Sequence, residues 1–491
     1  MILFLNEFAE QLKAFLMIER AVTEANCAIL VPRHVNSICS LGILQQIMME
    51  FKKSADVVCV DNVMEIHNFI IDKEDNYSLP LFIIILDCGE PFANLGEIIT
   101  KIPIFIIDSK NSSFSLNDEK QMMLKVPNTK DDDVPSSIQA LELAKTLLKA
   151  NWVIYLYSII GLTDSFLQNS ISHEQYLFLF NSLQKEFSVE VGSELFPNSN
   201  NDGTLEYKPN TDRVSVNNCS IYPIYDFRVP FLTISTISEA FNNSDYLSQC
   251  FGTWNESGIE LFNQMMSSTG LQRFQNEKFY SISDDDRLSI ITNMVSQYPD
   301  FAFPSLLLNN DSELNTTISD IVIVLQKKLC DDGDFSSQFY QIDPFSELLA
   351  IVAQSIDSAK SQISNINQVS IELIKSPNIL INLDHFIMAV SHTLIPDLFP
   401  VSKVAKYIEE VTNKPVLMIG YEQSSNEWRS ILRSSTFYPS LDKSTLVIQL
   451  LQSAKEIEAP TSFGSLNSIA VSSKGDNFLS VVDRFILKVI S

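Results

Sequence analysis

Polar residues placed just after apolar runs are the ones in this chain whose types and spacing could do chemistry. His34 and Asn36 follow the first apolar run, Asp87 follows the third and Asp108 the fourth, while Asp164 closes a later run. Open α/β sheets place ligand-binding groups beyond the carboxyl ends of their strands. Carboxylate oxygens gathered there are of the type that binds divalent metals.

The strands and helices that would position these residues are predicted from the spacing of apolar residues along the chain. Four continuous runs rich in Val, Ile and Leu predict buried strands, and helical spacing between the first two predicts a βαβ unit. We therefore expect an α/β fold with a parallel sheet covered on both faces. The predicted strands are Ala28–Val31, Val57–Val60, Leu81–Leu86 and Ile104–Ile107, and the first helix is Ser37–Lys53.

The rest of the chain divides at a polar, turn-rich stretch, 198–218. A helical pattern follows and includes the long stretch Pro344–Ile374, after which α/β character returns with predicted strands Val416–Ile419 and Thr445–Leu450. The prediction is a parallel-sheet N-terminal domain, an all-helical interdomain and a smaller C-terminal α/β domain. The predicted domains are 1–205, 206–375 and 376–491.

Composition excludes several classes of protein. The chain has 491 residues, 60 acidic and 34 basic, for a net charge of −26, which argues against a broadly cationic nucleic-acid binder but leaves room for one local basic groove. Seven scattered cysteines without a C-x-x-C pair argue against a zinc site and for reduced, buried thiols. No signal peptide or membrane-length apolar run is present, so we expect a soluble intracellular protein.

The common catalytic and nucleotide-binding signatures are absent. The chain has no G-x-x-x-x-G-K-[ST], G-x-G-x-x-G, G-x-S-x-G or H-E-x-x-H motif. His385 and His392 are seven residues apart, and a structural role on a helix face is favoured over a metal pair. We predict no cofactor.

The order of polar positions after the strands resembles the DHH phosphoesterases, the RecJ-like exonucleases and their relatives. Active members carry D-x-D after the first strand, an Asp shortly before a Gly, the D-H-H triplet and a G-x-x-D, which together hold two metals. Here His34 and Asn36 replace the D-x-D pair, and Ser109 with Lys110 replaces the two histidines. Cationic Lys110 would repel metals, so the resemblance implies an inactive site with vestigial ligand positions at Asp87, Asp108 and Asp164. For these aspartates we favour a helix-capping or loop role over retained metal binding.

Three further segments resemble the eukaryotic cell division cycle protein forty-five family, whose fold is related to RecJ. Ser158–Asp164 looks like its W-x-A-I-V-G-L-T-D stretch, Ile224–Val229 like E-Y-D-L-R-L, and Arg33–Leu44 like its D-x-D-A-L-C segment. The large acidic insertion common in that family is reduced here to Asp131–Asp133.

This resemblance implies a non-enzymatic DNA replication initiation and elongation factor in the nucleus. It would be a monomer when isolated, and a helicase subunit bridging the minichromosome maintenance hexamer and the GINS complex. Two rivals stay open, namely an active or residual DHH nuclease or phosphoesterase, and an acidic scaffold unconnected with replication. No membrane association is expected.

Two surfaces are candidates for partners. Residues 281–350 carry 12 acidic and 3 basic residues, and acidic flanks beside an apolar anchor favour fast, oriented association with basic proteins. Arg429 and Arg433, four apart on a predicted helix beside Trp428, could give weak, salt-sensitive binding of single-stranded DNA, although a solvated helix face is the favoured explanation. The predicted protein-binding residues are Trp254, Phe262, Met266, Asp284, Asp285 and Asp286.

Overall fold

A computed structural model of the chain describes most of the first 412 residues and parts of the remainder. The described residues are 2–18, 27–60, 63–75, 80–87, 102–109, 121–125, 134–191, 214–216, 219–310, 315–331, 344–375, 380–382, 387–391, 398–412, 414–422, 427–433, 450, 461–465, 468–474, 482 and 484–485. Among them, no helix is long and apolar enough to cross a membrane.

The described helices are distributed along the whole chain. They are α1 (Leu5–Leu16), α2 (Val35–Glu50), α3 (Val63–Asp75), α4 (Ser136–Leu147), α5 (Trp152–Leu167), α6 (His173–Val191), α7 (Ile237–Asn242), α8 (Asp245–Phe251), α9 (Glu256–Ser268), α10 (Asp284–Gln297), α11 (Ile318–Asp331), α12 (Pro344–Lys375) and α13 (Leu398–Thr412).

The N-terminal part is built on a six-stranded parallel sheet of spatial order β1-β6-β5-β4-β2-β3. Strands β2, β4 and β5 are buried along their whole length, as expected for a sheet with helices on both faces. The predicted α/β class and parallel sheet are confirmed. The six strands are β1 (Ile2–Phe4), β2 (Cys27–Val31), β3 (Ala55–Cys59), β4 (Phe82–Leu86), β5 (Ile104–Ile107) and β6 (Gln121–Lys125).

The middle part contains a second sheet, so the prediction of an all-helical interdomain was wrong. Four antiparallel strands lie in the order β10-β9-β8-β7, and the long pair β8 and β9 is 75 residues apart in sequence when measured from Phe227 to Ala302. Local periodicity does not reveal a pairing between such distant segments. The four strands are β7 (Val214–Val216), β8 (Cys219–Phe227), β9 (Ala302–Asn310) and β10 (Asn315–Thr317).

The helices of the middle part follow the sequence signals more closely. Helix α10 begins after Ser283, whose hydroxyl accepts a hydrogen bond from the Asp286 backbone N–H, and Gly270 adopts a left-handed conformation just beyond α9. Helix α12 agrees with the predicted stretch Pro344–Ile374 to within one residue. Their caps and apolar stripes are local, which explains this agreement.

The C-terminal part has a six-stranded mixed sheet of order β11-β12-β13-β14-β16-β15. The expected return to α/β character is confirmed and Val416–Ile419 lies in a strand, whereas 445–449 lie outside the described residues. The strands are β11 (Leu380–Asn382), β12 (Ile387–Ser391), β13 (Val416–Glu422), β14 (Glu427–Arg433), β15 (Thr461–Ser465) and β16 (Ser468–Lys474).

The predicted helix carrying Arg429 and Arg433 is instead strand β14, which pairs with β13 and β16 on its two sides. Trp428, Ile431 and Leu432 favour an extended chain between two partner strands. The two arginines therefore lie on a strand rather than on a helix. Their predicted contact with single-stranded DNA stays a prediction.

Candidate functional site

The carboxyl edge of the parallel sheet gathers polar groups from four segments of the chain. Strand β4 lies between β2 and β5, so the residues that follow these three strands are neighbours in space. The amino end of helix α4 closes the same region. The resulting polar cluster consists of Asn36, Ser37, Asp87, Ser109 and Ser136, which are all buried.

Asp87 is the acceptor at the centre of the polar cluster. Its Oδ1 accepts from the Ser109 backbone N–H at 3.0 Å and from the Ser109 hydroxyl at 2.6 Å. Its Oδ2 accepts from the Ser37 hydroxyl at 2.7 Å, from the Ser136 hydroxyl and from Nδ2 of Asn36 at 3.2 Å. Asp87 also has φ +41°, in the left-handed region that non-glycine residues seldom adopt, so the surrounding bonds hold a strained backbone in place.

Asn36 links the members of the polar cluster. Its Nδ2 donates to Asp87, to the Ser109 hydroxyl at 3.2 Å and to the Ser136 hydroxyl at 3.0 Å, while its Oδ1 accepts from the Ser137 backbone N–H at 3.2 Å. Asn36 occupies the second position of the D-x-D pair of active DHH members. In the structure its nitrogen faces the carboxylate, so a neutral donor supplies the hydrogen bonds that Asp87 needs when buried.

Asp164 reaches the polar cluster from the interior of helix α5, rather than from the end of a strand. Its Oδ2 accepts from the Asn36 backbone N–H at 3.2 Å, in the first turn of α2, and its Oδ1 accepts from Nε2 of Gln326 at 2.6 Å. Burial raises the pKa of Asp164, and the nearby Asp87 carboxylate contributes to this increase. The bonds from Gln326 and Asn36 and the charge of Lys403 oppose it. Asp164 therefore caps a neighbouring helix and ties α5 to α11.

The other vestigial positions lie at the same edge. Asp108 is fully buried, and its backbone carbonyl accepts from the side-chain amide of Gln139 on α4. His34 is buried at the N-cap position of α2, where its side chain makes no capping hydrogen bond. Lys110 lies outside the described residues.

Gly161 is required because the polar cluster approaches helix α5 closely. A Cβ at this position would lie 2.9 Å from Oδ1 of Asn36 and closer still to the side chain of Ser137. Real Cβ atoms do not make such contacts without displacing the neighbour. The glycine in the G-L-T-D segment therefore has a packing role.

Gly161→Ala should lower the free energy of unfolding by about 1–3 kcal/mol, because overpacking would displace Asn36 and Ser137. Guanidinium denaturation followed by circular dichroism measures this. Ser137→Gly removes the nearer contact, so the double variant should be more stable than the sum of the two single effects predicts. Strict additivity would contradict the proposed contact.

The residues present do not fit a two-metal centre. Both oxygens of Asp87 already accept hydrogen bonds. Asn36, which replaces the second Asp of the D-x-D pair, presents an amide nitrogen to Asp87 rather than a carboxylate. Two divalent ions need several anionic ligands to offset four positive charges. Within the described parts of the chain, no group of three or more His, Cys, Asp or Glu side chains is arranged to hold a metal.

The predicted apolar anchor for partners needs correction. Phe262 and Met266 are buried in this chain's own middle core, and Trp254 is half-buried with its ring against Tyr407 at 6.5 Å. Helical spacing identified the face that packs inward, which is the usual meaning of such a stripe. The exposed large apolar side chains on α9 are Ile259 and Leu261.

The three aspartates of the proposed acidic surface have different local roles. Asp284 forms an ion pair with Arg287, and Asp286 accepts a hydrogen bond from the Ser283 hydroxyl at 2.5 Å. Asp285 is exposed. All three lie in the first turn of α10, where negative charge is favoured by the helix dipole. Helix stability therefore accounts for part of this acidity.

Sequence reasoning missed the serines and glutamines that complete the site. Ser37 and Ser136 donate to Asp87, and Gln139 and Gln326 connect the loops and helices around it. One signal was available in the sequence, because Pro135 followed by Ser136 is typical of a helix start, and α4 begins there. The contact of Gln326 with Asp164 spans 162 residues and has no local sequence signal.

Comparisons with known proteins agree with this architecture. Residues 130–303 match the family model of CDC45. The crystal structure of CDC45 from Entamoeba histolytica matches with a TM-score of 0.75 and 15% sequence identity, covering 100% of both chains. The chain has the CDC45 fold. The resemblance inferred from the sequence motifs is thereby confirmed, and the matched segment includes both the G-L-T-D and the Y-D-F-R stretches.

Two RecJ structures are also similar, with lower TM-scores. Exonuclease RecJ bound to manganese has a TM-score of 0.47 and 10% identity, covering 99% of this chain and 94% of that one. RecJ from Thermus thermophilus in complex with Mn²⁺ has a TM-score of 0.43 and 11% identity, covering 99% of this chain and 55% of that one. A search of curated proteins found no match.

Proposed function

We propose that this chain is a non-catalytic CDC45-type subunit of the DNA replication machinery, which acts in the nucleus by holding the minichromosome maintenance hexamer and the GINS complex together. The observation that carries the proposal is the polar cluster, in which Asn36 and three serines satisfy Asp87 with hydrogen bonds. The CDC45 family match over 130–303 and the CDC45 fold support the replication role.

The rival is a residual DHH-type nuclease or phosphoesterase. Such an enzyme would need Asp87 and Asp164 as metal ligands, whereas Asp87 is enclosed by donors and Asp164 bonds to α2 and α11. The polar cluster therefore favours a structural role. Weak, salt-sensitive contact of single-stranded DNA with Arg429 and Arg433 on β14 belongs to this proposal as a secondary property.

Affinity purification from nuclear extract, followed by mass spectrometry, tests the proposal. The tagged chain should recover minichromosome maintenance and GINS subunits in near-stoichiometric amounts. Recovery of neither, together with metal-dependent cleavage of single-stranded DNA by the purified chain, would favour the rival. Recovery of neither without cleavage would favour an acidic scaffold outside replication.

Asp285→Lys probes the acidic surface without breaking the Asp284 ion pair or the Ser283 cap. It should slow association with basic partner surfaces several-fold and change dissociation little, because exposed charges act mainly on encounter. Biolayer interferometry with reconstituted partners measures both rates. Glu10→Lys on α1 makes the same charge change elsewhere and is the control; equal effects of the two variants would argue against a local acidic surface.

A further inference from the structure

A cleft lies among helices α8, α9 and α10 in the middle part of the chain. Its floor is formed by the buried side chains of Leu247, Met265, Met294 and Phe301. Aromatic side chains of Tyr246, Phe251 and Tyr298 form its walls. The cavity has a volume of about 240 Å³.

The cleft opens to solvent at its rim, above a buried floor. Cys250, Gln297, Pro299 and Asp300 line it and are exposed, so they form its rim. Pockets for drug-sized ligands are usually about 300–1,000 Å³, and this cleft is smaller. Its size therefore suits one large side chain rather than a whole cofactor.

The lining favours an aromatic occupant. Methionine sulfur atoms make favourable contacts with aromatic rings, and the flexible thioether adapts to the shape of a guest. Aromatic walls add edge-to-face contacts, as already seen between Phe251 and Tyr298 at 5.8 Å between ring centroids. Met265, Met294 and the three aromatic wall residues provide both kinds of contact.

The surroundings of the cleft are negatively charged. Residues 241–300 contain 8 acidic and 3 basic residues, for a formal charge of −5. Helices α8 and α9 carry no basic residue, the Arg287 guanidinium is paired with Asp284, and Asp300 is at the rim itself. Two cations from other elements lie beside the cleft but are engaged: the Arg228 guanidinium is 4.7 Å from the centroid of the Tyr246 ring, and Lys406 pairs with Asp245 at 3.5 Å. A guest segment bearing cations beside its anchor would be attracted and oriented by this charge.

We propose that this cleft receives an aromatic side chain from a partner protein, presented by a segment with Lys or Arg on both sides of it. The inference rests on the proposed partner-holding function and specifies what kind of partner segment is bound. One inserted ring would bury the apolar floor, while the cationic flanks would contact the acidic rim. A deeply buried aromatic anchor is the typical energetic centre of a protein interface.

Methionine methyl NMR of the full chain tests the proposal. The protein is labelled at the methyl groups of its 12 methionines, and Met265→Leu and Met294→Leu assign the two floor signals. The probe is a seven-residue peptide with a central Phe flanked on each side by Lys and Arg. We expect both floor signals to shift on titration, whereas a peptide with central Ala, and one with Glu flanks, should leave them in place.

Two charge variants complete the experiment. Asp300→Lys at the rim should weaken peptide binding roughly fivefold, since a steering charge is reversed, and Glu10→Lys on α1 should leave it unchanged. Unmoved floor signals at millimolar Phe peptide, or equal shifts with the Ala peptide, would overturn the proposal. The proposal would also be overturned if the Met265 and Met294 methyl signals shifted with protein concentration alone, because a second copy of the chain would then occupy the cleft. The peptide titration contains no helicase subunit. A negative result would therefore overturn the aromatic-anchor proposal without deciding whether the chain co-purifies with minichromosome maintenance and GINS subunits.

Discussion

Replacing Asn36 with aspartate should destabilise the protein by about 3–5 kcal/mol, because a second carboxylate would face Asp87 in a buried site. Asn36→Asp removes the amide donors to Asp87, Ser109 and Ser136, yet changes the side-chain volume little. The loss should therefore come from electrostatics and unsatisfied groups rather than from a cavity. Equilibrium denaturation in guanidinium at pH 7.5 measures the change.

The matched control for this substitution is Asn263→Asp on the exposed side of α9. It introduces the same charge at a solvated position, where substitutions usually change stability by less than about 0.5 kcal/mol. A loss below about 1 kcal/mol for Asn36→Asp would contradict the role of the amide as a buried donor to Asp87 and to the two serines. The Asn36→Asp deficit should also shrink at acidic pH, because protonation of one carboxyl group relieves the repulsion.

The second large effect concerns a pair of buried carboxyl groups in the middle part. Asp226, at the end of β8, accepts from the Ser319 hydroxyl at 2.6 Å and the Phe227 backbone N–H at 2.8 Å. Asp320, at the start of α11, accepts from the Phe231 backbone N–H at 2.6 Å and the Thr233 hydroxyl at 3.0 Å. These bonds fasten α11 to the chain that leaves β8.

Burial is the main cause that raises the pKa of both groups, and the Asp320 charge raises that of Asp226 further. The pKa of Asp226 increases to about 7 and that of Asp320 to about 6. Their stabilising contribution is complete below the unfolded-state pKa, about 4, and is lost as pH rises through the folded-state values. The free energy of unfolding contributed by this pair should therefore fall between about pH 4 and about pH 7.

Asp226→Asn isolates this effect because the amide cannot ionise. Between pH 5 and pH 8 the stability of the variant relative to the wild-type chain should rise by roughly 2–3 kcal/mol, since only the wild type must ionise a buried group. Denaturation curves at the two pH values measure it. The control is Asp285→Asn, because Asp285 is exposed and its replacement should not change how stability depends on pH. If the stability difference between Asp226→Asn and the wild-type chain is the same at both pH values, ionisation of Asp226 does not control stability in this range.

The parallel sheet could be predicted because its signals are local and strong. Continuous Val, Ile and Leu runs such as Ile104–Ile107 suit only a strand buried on both faces. The second sheet could not, because β8 contains Pro223 and polar residues and meets β9 only through tertiary contacts. Strand β14 was mistaken for a helix since two arginines four apart fit both periodicities.

The candidate site was predictable in position but not in chemistry. The topology places the residues after β2, β4 and β5 together, so Asn36, Asp87 and Ser109 could be expected to meet. Which atom of the Asn36 side chain faces Asp87 depends on its other partners, Ser109 after β5 and Ser136 and Ser137 on α4, whose positions in space the sequence does not give. The solvent exposure of individual side chains could not be predicted from the sequence either. Phe262 and Met266, which were expected to bind partners, are buried core residues.

The most direct test of the central claim is a Mn²⁺ titration followed by electron paramagnetic resonance, because free Mn²⁺ gives a signal that vanishes on binding. We expect the wild-type chain, Asp87→Asn and Asp164→Asn to take up Mn²⁺ equally and weakly, at surface acidic groups only, and none of them to hydrolyse single-stranded DNA. Stoichiometric Mn²⁺ binding by the wild type that either substitution removes, accompanied by hydrolysis, would contradict it.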